Sequence, residues 1–340
     1  MTNSRNVTIN VILFRQELLT KEQDMPVSLV ATDYSRPAQE LLMQPLQTGA
    51  VHSVFRRAVN IALDGTMLAL LSDEVPRMPN GLRLPAAAYH AEMRALAPGM
   101  AVHTGDGTVS IPACGFTLHL PAVSPWEPRP DVMSRCWSRQ EVAQRRRQLA
   151  RYLVERTGQE GLAPLLRPAS YETPLTRLAR PALQALMRAA QQQDGAGAGE
   201  AACGLAGLGP GLTPSGDDAL AGFAAVMALL GQQLSSDAVP RDHIAQAIAA
   251  IAGPRTTRLS AALLAHAARG EVAESLGTLL LALARPVEHS PCGPAQGPDL
   301  LRAADALLAC GATSGADTLL GVIAGLQALE GGNDDDLYRQ

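Results

Sequence analysis

The chain has 340 residues, 47% hydrophobic, 18% charged and 3% aromatic, with a net charge of −4. That is enough chain for two ordinary domains whose cores are built mainly from Ala, Leu and Val, and the acidic balance excludes the basic footprint of a nucleic-acid-binding protein. A single lysine, Lys21, among many arginines speaks against Schiff-base or P-loop lysine chemistry; the arginine excess itself is accounted for by a GC-rich codon bias.

Residues 1–44 read as a leader with one strand-like piece and a short helix near Pro37–Met43. Within it, Val7–Phe14 is apolar but short and is followed by no cleavage-like site. A β domain is expected over 45–122. Val51–Ile61 alternates partly, as one half-buried strand would, placing Arg56 and Arg57 on opposite faces. Asp64-Gly65 and Asn80-Gly81 are hairpin-turn signals. Short strands are expected at Gly65–Leu71, Leu82–Leu84, Met100–His103, Thr108–Ile111 and Phe116–Leu120, broken by Gly105-Asp106-Gly107 and Cys114-Gly115. Such short, Gly-punctuated strands imply a small β-barrel or sandwich.

The proline-rich stretch around Trp126 reads as a linker over 123–138. An all-α domain follows over 139–330, giving an α+β chain overall, with an acidic tail over 331–340. Helices are expected at Ser138–Arg156, Leu175–Gln193 (with Pro181 breaking or starting one inside it), Gly216–Leu230, Arg241–Ile251, Thr257–Arg269, Val272–Ala284, Pro298–Cys310 and Gly315–Leu329, and a Gly/Ala loop at Asp194–Gly199. The longest apolar run, Leu276–Ala284, is too short to span a bilayer. Five scattered cysteines (Cys114, Cys136, Cys203, Cys292, Cys310) without a CxxC pair argue for a reducing compartment and against a zinc site. The expected location is the cytoplasm, without a membrane partner, and the apolar helices suit association into an oligomer.

The densest motif is Gly207–Gly222. Its glycines, Gly209 and Gly211 among them, and its prolines make a loop of unusual backbone angles, with Thr213 near its end and Ser215-Gly216 opening a helix. Ser215 is placed to cap that helix, and free N–H groups at its positive end suit an anion. Asp217 and Asp218 in its first turn either complement the helix dipole or hold a hard cation such as Mg²⁺. Ser314-Gly315-Ala316-Asp317 echoes this start, setting Asp317 opposite Asp218 and implying two helix N-termini that converge on one site. Between them, Arg255, Thr256, Thr257, Arg258 and Ser260 open a helix that carries His266. Two guanidiniums and three hydroxyls there suit a phosphate or carboxylate, unless Thr256 serves only as an N-cap. His266, on an Ala/Leu-rich helix, reads as a core histidine rather than a catalyst. In the β region Arg56 and Asn60 are the polar residues with a candidate site role.

The Gly207–Asp218 string, Thr256–Ser260, Gly311–Thr318, Val51–Phe55 and Pro79–Gly81 together resemble the AllH-like family, whose named member is a subunit of an oxamate carbamoyltransferase, long catalogued as a domain of unknown function. The resemblance covers roughly residues 45–330. It implies work beside FdrA-like subunits in allantoin or related nitrogen catabolism (purine degradation), where oxalurate and phosphate give oxamate and carbamoyl phosphate. No catalytic residue is carried over. The Ser-Thr-Arg-Thr-Arg phosphate motif of ordinary carbamoyltransferases is absent, and Pro254–Arg258 is only superficially like it. The chemistry needs anion holders and oxyanion donors rather than an activated nucleophile, for which Arg255, Arg258, Thr256, Thr257, Ser215 and the Gly209–Gly211 backbone are the candidates. Two other readings stand beside it: a stand-alone Mg²⁺-dependent hydrolase, since Ser314–Leu329 weakly resembles the late Asp-Thr helix of ADP-ribosylglycohydrolases, and a non-catalytic ligand-binding scaffold.

Overall fold

The computed structural model describes residues 27–132, 138–231, 241–285 and 297–331. The apolar stretch Val7–Phe14, Cys136, Cys292 and the acidic tail lie outside the described residues. The chain forms two compact units, one of residues up to Val75 with Asn80–Trp126, the other of Pro76–Pro79 with Glu127 onward.

The first unit is one nine-stranded sheet: β1 (Val27–Val30), β2 (Asp33–Tyr34), β3 (Gln47–Val54), β4 (Ala58–Leu63), β5 (Thr66–Ser72), β6 (Gly81–Leu84), β7 (Ala101–Gly105), β8 (Thr108–Ile111) and β9 (Phe116–His119), in the order β1-β9-β8-β7-β3-β4-β5-β6-β2. The strands alternate, and their inward residues, such as Val59, Ile61, Leu68, Leu70, Val109 and Leu118, form the core. The two outermost strands are consecutive in the chain. Ala31 N–H reaches His119 O (3.0 Å) at one edge and Thr32 N–H reaches Arg83 O (2.7 Å) at the other, so the sheet curls until a single stretch serves both ends. The bidentate Arg83–Asp33 pair, with Nε to Oδ1 at 3.0 Å, fastens that stretch to β6. Residues 27–44, expected as leader, therefore supply two strands and the helix α1 (Arg36–Leu42), which Ser35 caps through the Ala38 N–H.

Two strand expectations are corrected. Val51–Ile61 is two strands: Phe55 N–H donates to Ala58 O (2.8 Å), and Phe55, Arg56 and Arg57 stand exposed at the turn between β3 and β4. The alternating pattern ran through this turn because no Gly, Pro or Asn interrupts it, and the two arginines do not occupy opposite faces. Asn80-Gly81 is not a hairpin, since β6 lies parallel to β5. Asn80 is buried instead, its Nδ2 donating to Met67 O at 3.2 Å. Asp64-Gly65 does form the β4–β5 turn, with Gly65 at φ 70°. A further short helix, α2 (Ala86–Glu92), follows β6.

The second unit is helical: α3 (Arg139–Arg156), α4 (Pro174–Gln191), α5 (Gly195–Ala202), α6 (Ser215–Leu230), α7 (Asp242–Ala252), α8 (Arg258–Ala268), α9 (Glu274–Ala284), α10 (Gly297–Leu308) and α11 (Ser314–Glu330). α4 runs through Pro181 without the expected break. Proline removes the bond to the carbonyl four residues back, but that residue, Arg177, and Pro181 are both exposed, so the missing bond falls on the solvent face of the helix. The expected loop at Asp194–Gly199 is mostly helix α5. Asp194 caps it by accepting the Gly197 N–H (2.9 Å), and its small residues let it lie on α7, where a Cβ at Gly199 would come 2.9 Å from Ala247 O. α6 and α11 are apolar on nearly all sides and buried at the centre of the unit, as such helices must be. Among the described residues no helix is long and apolar enough to cross a membrane.

Candidate functional site

The loop before α6 is set by three glycines in left-handed backbone, Gly207 (φ 71°), Gly209 (φ 119°) and Gly211 (φ 97°), a region that side-chain-bearing residues avoid. It folds back so that Leu208 O accepts the Gly216 N–H (2.9 Å). A Cβ at Gly216 would lie 2.0 Å from Leu205 O, so only glycine permits this approach. Ser215 does not cap α6. The cap position is Pro214, and Ser215 is the first, buried, helical residue. A proline there leaves no side chain to cap with, which explains why the loop backbone does the work.

The acidic residues have separate roles. Asp217 is buried and clamps the loop, accepting the Gly207 N–H on Oδ1 (2.8 Å) and the Thr256 hydroxyl on Oδ2. Thr256 is therefore not the N-cap of α8. Thr257 is, accepting the Ser260 N–H (3.1 Å) while donating its hydroxyl to Leu212 O (2.7 Å). The Ser260 hydroxyl also donates to Leu212 O (3.4 Å). Three residues expected to hold an anion thus tie the loop to α8, whereas Arg255 and Arg258 stand exposed beside it.

The second motif repeats the first. Gly311 is left-handed (φ 66°), Gly315 N–H donates to Cys310 O (3.0 Å), and a Cβ at Gly315 would be 2.0 Å from Leu307 O. The two helices then cross at matching glycines: a Cβ at Gly222 would meet Thr318 O at 2.2 Å, and one at Gly321 would meet Ala219 O at 2.0 Å. Further along, Gly325 packs on Val226, its positional counterpart. The pair has approximate two-fold symmetry, and it brings the two helix starts together, Thr213 Oγ1 lying 3.3 Å from Ser314 Oγ.

Asp218 and Asp317 face each other across this junction. Burial pushes the Asp218 carboxyl up to about 8, against the pull of the Ser314 and Thr213 hydroxyls and reinforced by the negative charges of Asp317 and Asp217. Its Oδ2 is sealed and without a partner. Asp317 is fully buried and is raised by that burial, opposed by the Leu162 N–H and by the Ser215 and Thr313 hydroxyls. Leu162 N–H donates to its Oδ1 at 2.6 Å. Among the described residues no three carboxylate, histidine or cysteine groups have the arrangement of a metal site. Of the three carboxylates with a candidate metal role, Asp217 has both oxygens engaged by protein donors and Asp317 has one.

Over residues 205–326, the stretch that holds both motifs, the chain matches the family described as oxamate carbamoyltransferase subunit AllH; over residues 26–124 it matches the AllH family N-terminal domain. The chain belongs to the AllH family. No solved structure matches it.

In this AllH-family chain the remaining candidates are described within their own units. Arg56 is exposed at the β3–β4 turn, and buried Asn60 donates Nδ2 to Ser53 Oγ (3.0 Å) within the sheet. His266 pairs with Glu271 (2.6 Å) at the end of α8, where Arg269 also binds that carboxylate. One contributor had no motif to announce it, the Gly161-Leu162 backbone; Leu212 O and Thr313 lie inside the two motifs but had not been singled out. The one available signal was Gly161 itself, left-handed at φ 63° and pressed against Asp317, where a Cβ would lie 2.5 Å from Oδ1.

Proposed function

We propose that this chain serves an oxamate carbamoyltransferase as the subunit that binds a small anionic substrate where the Gly209–Ser215 and Gly311–Ser314 loops meet, working beside FdrA-like subunits in allantoin or related nitrogen catabolism. One observation carries the reading: two loop–helix starts of the same design are drawn to one point, with Thr213 and Ser314 in contact and exposed loop backbone at Gly211 and Gly311. Backbone N–H groups and hydroxyls at helix starts favour negative charge, and Arg255 and Arg258 add guanidiniums at the neighbouring start of α8. In the reaction a phosphate oxygen attacks the carbamoyl carbon of oxalurate. The bond from that carbon to the oxamate nitrogen breaks, and the nitrogen takes up a proton, so oxamate and carbamoyl phosphate leave. The group to be stabilised is the oxyanion on the carbamoyl carbon, which fixed N–H and O–H donors serve without reorganisation.

The test is the reverse reaction, carbamoyl phosphate plus oxamate, assayed with FdrA-like subunits in the presence and absence of this chain. Turnover that depends on the chain, and that falls in Ser314→Ala while the complex still assembles, supports the reading. Turnover indifferent to the chain would reduce it to a scaffold.

A further inference from the structure

The β3–β4 turn carries side chains that the fold does not use. Phe55, Arg56 and Arg57 all lack positive φ, and a turn of ordinary φ accepts most residues, so the backbone does not impose these three. The turn is nonetheless pinned at three points. Phe55 N–H donates to Ala58 O (2.8 Å), Ser72 N–H donates to Arg57 O (3.0 Å), and the buried Tyr89 donates its hydroxyl to Phe55 O (3.1 Å). On this fixed backbone Phe55 is 48% exposed. A charged rim lies beside it. One oxygen of Glu74 meets both the Arg57 guanidinium (3.5 Å) and the His90 ring of α2 (3.2 Å). The His90 hydrogen bond, foremost, and the Arg57 charge hold that carboxyl below its ordinary range. Arg56 is exposed and has no hydrogen-bond or ion-pair partner among the described residues.

We infer that this turn is a docking tip for a partner subunit of the carbamoyltransferase, with Phe55 seated in an apolar pocket of that subunit and Arg56 on a carboxylate at the pocket's rim. A lone exposed apolar residue is ordinary on a protein surface. Here a phenyl ring and an unpaired guanidinium stand together on a pinned turn beside a polar rim, which is the make-up of an interface anchor. A backbone fixed beforehand also spares the entropy of ordering a loop on binding. Charge selects the occupant. The tip has two guanidiniums against one carboxylate, Glu74, so the face that fits it is acidic. A second copy meeting it through the same patch would set Arg56 and Arg57 against their own kind, since a two-fold contact pairs a surface with itself. The inference rests on that part of the proposed function which gives this chain a partner subunit, and not on the anion site.

The experiment measures association of the full chain with purified FdrA-like subunits by surface-immobilised kinetics, for wild type, Phe55→Ala and Arg56→Glu. Phe55→Ala should weaken binding by about 30-fold or more, the mark of an anchor residue, chiefly through faster dissociation. Arg56→Glu should slow association by about tenfold at low salt and flatten or reverse its salt dependence. Both variants should melt with wild type, because neither side chain packs in the core. If Phe55→Ala nonetheless melts early, Arg56→Glu decides. Both variants binding within about threefold of wild type would overturn the inference and leave the subunit reading standing. Phe55→Ala dissociating a dimer of the free chain while the mixed complex persists would overturn it in favour of a second copy. No complex with the wild-type chain would overturn the partner reading and this inference with it.

Discussion

Replacing Gly321 by alanine tests the central crossing directly. The added methyl would stand 2.0 Å from Ala219 O, whereas carbon–oxygen contacts settle at about 3.3 Å or beyond. One helix must therefore withdraw by about 1.3 Å. Ala219 O is helix backbone, so there is no flexible side-chain end to give way, and the shift is imposed on the two most buried helices of the unit. Overpacking of this kind costs about 1–3 kcal/mol; the rigid neighbour places Gly321→Ala at the upper end, about 3 kcal/mol. For a unit of this size that lowers the melting temperature by roughly 6–12 °C. Gly222→Ala, facing Thr318 O at 2.2 Å, should behave alike. The control is Gly253→Ala, whose Cβ meets nothing within 4 Å and whose φ of −51° is helical; it should gain about 0.4–1 kcal/mol. Calorimetric melting of the three variants decides the matter. If Gly321→Ala melts within about 2 °C of wild type while Gly253→Ala behaves as expected, the close backbone crossing is wrong.

Three other outcomes are expected. Thr256→Val removes the hydroxyl that Asp217 accepts and should cost about 1–3 kcal/mol in urea denaturation by orphaning a buried carboxylate oxygen; an unchanged midpoint would make that contact incidental. Asp33→Ala strips Arg83 of a part-buried partner and should cost about 2 kcal/mol, below the range for fully buried pairs because of solvent access, seen as earlier loss of the Trp126 fluorescence signal of the sheet unit. Asp218→Asn should stabilise. Asp218 ionises near pH 4 in the unfolded chain and near 8 in the folded one, so wild-type stability falls as pH rises through that window and is flat above it. The advantage of Asp218→Asn should grow from about pH 4 to about pH 8 and then hold, measurable as urea midpoints at about pH 5, 7 and 9.

The order of sheet then helices was legible, because strand-length alternation and helical spacing are both local signals. So was the repetition of Ser-Gly-x-Asp, which the structure turns into two facing helix starts. What local pattern missed was set by contacts distant in sequence. The β3–β4 turn at Phe55–Arg57 carries no turn residue, and α5 is glycine-rich yet helical because α7 needs a thin neighbour. The hydroxyls of Thr256, Thr257 and Ser260 looked like ligand groups because their partners, Asp217 and Leu212 O, lie some forty positions earlier. Leu162, whose N–H donates to Asp317 Oδ1, reads in the sequence only as a core leucine, because a backbone donor leaves no mark on residue type.

The stretch Val27–Tyr34 also dictates an order of assembly. It leaves the ribosome ahead of every strand it will pair with, and its partner β9 comes last of the nine. The sheet unit thus depends on contacts between its first and last strands, the kind that slow folding. Until they form, β9 and β6 each present an unpaired edge, open to pairing with another chain. A fragment beginning after Tyr34 would keep both edges bare permanently, and its fate would be aggregation rather than a smaller domain.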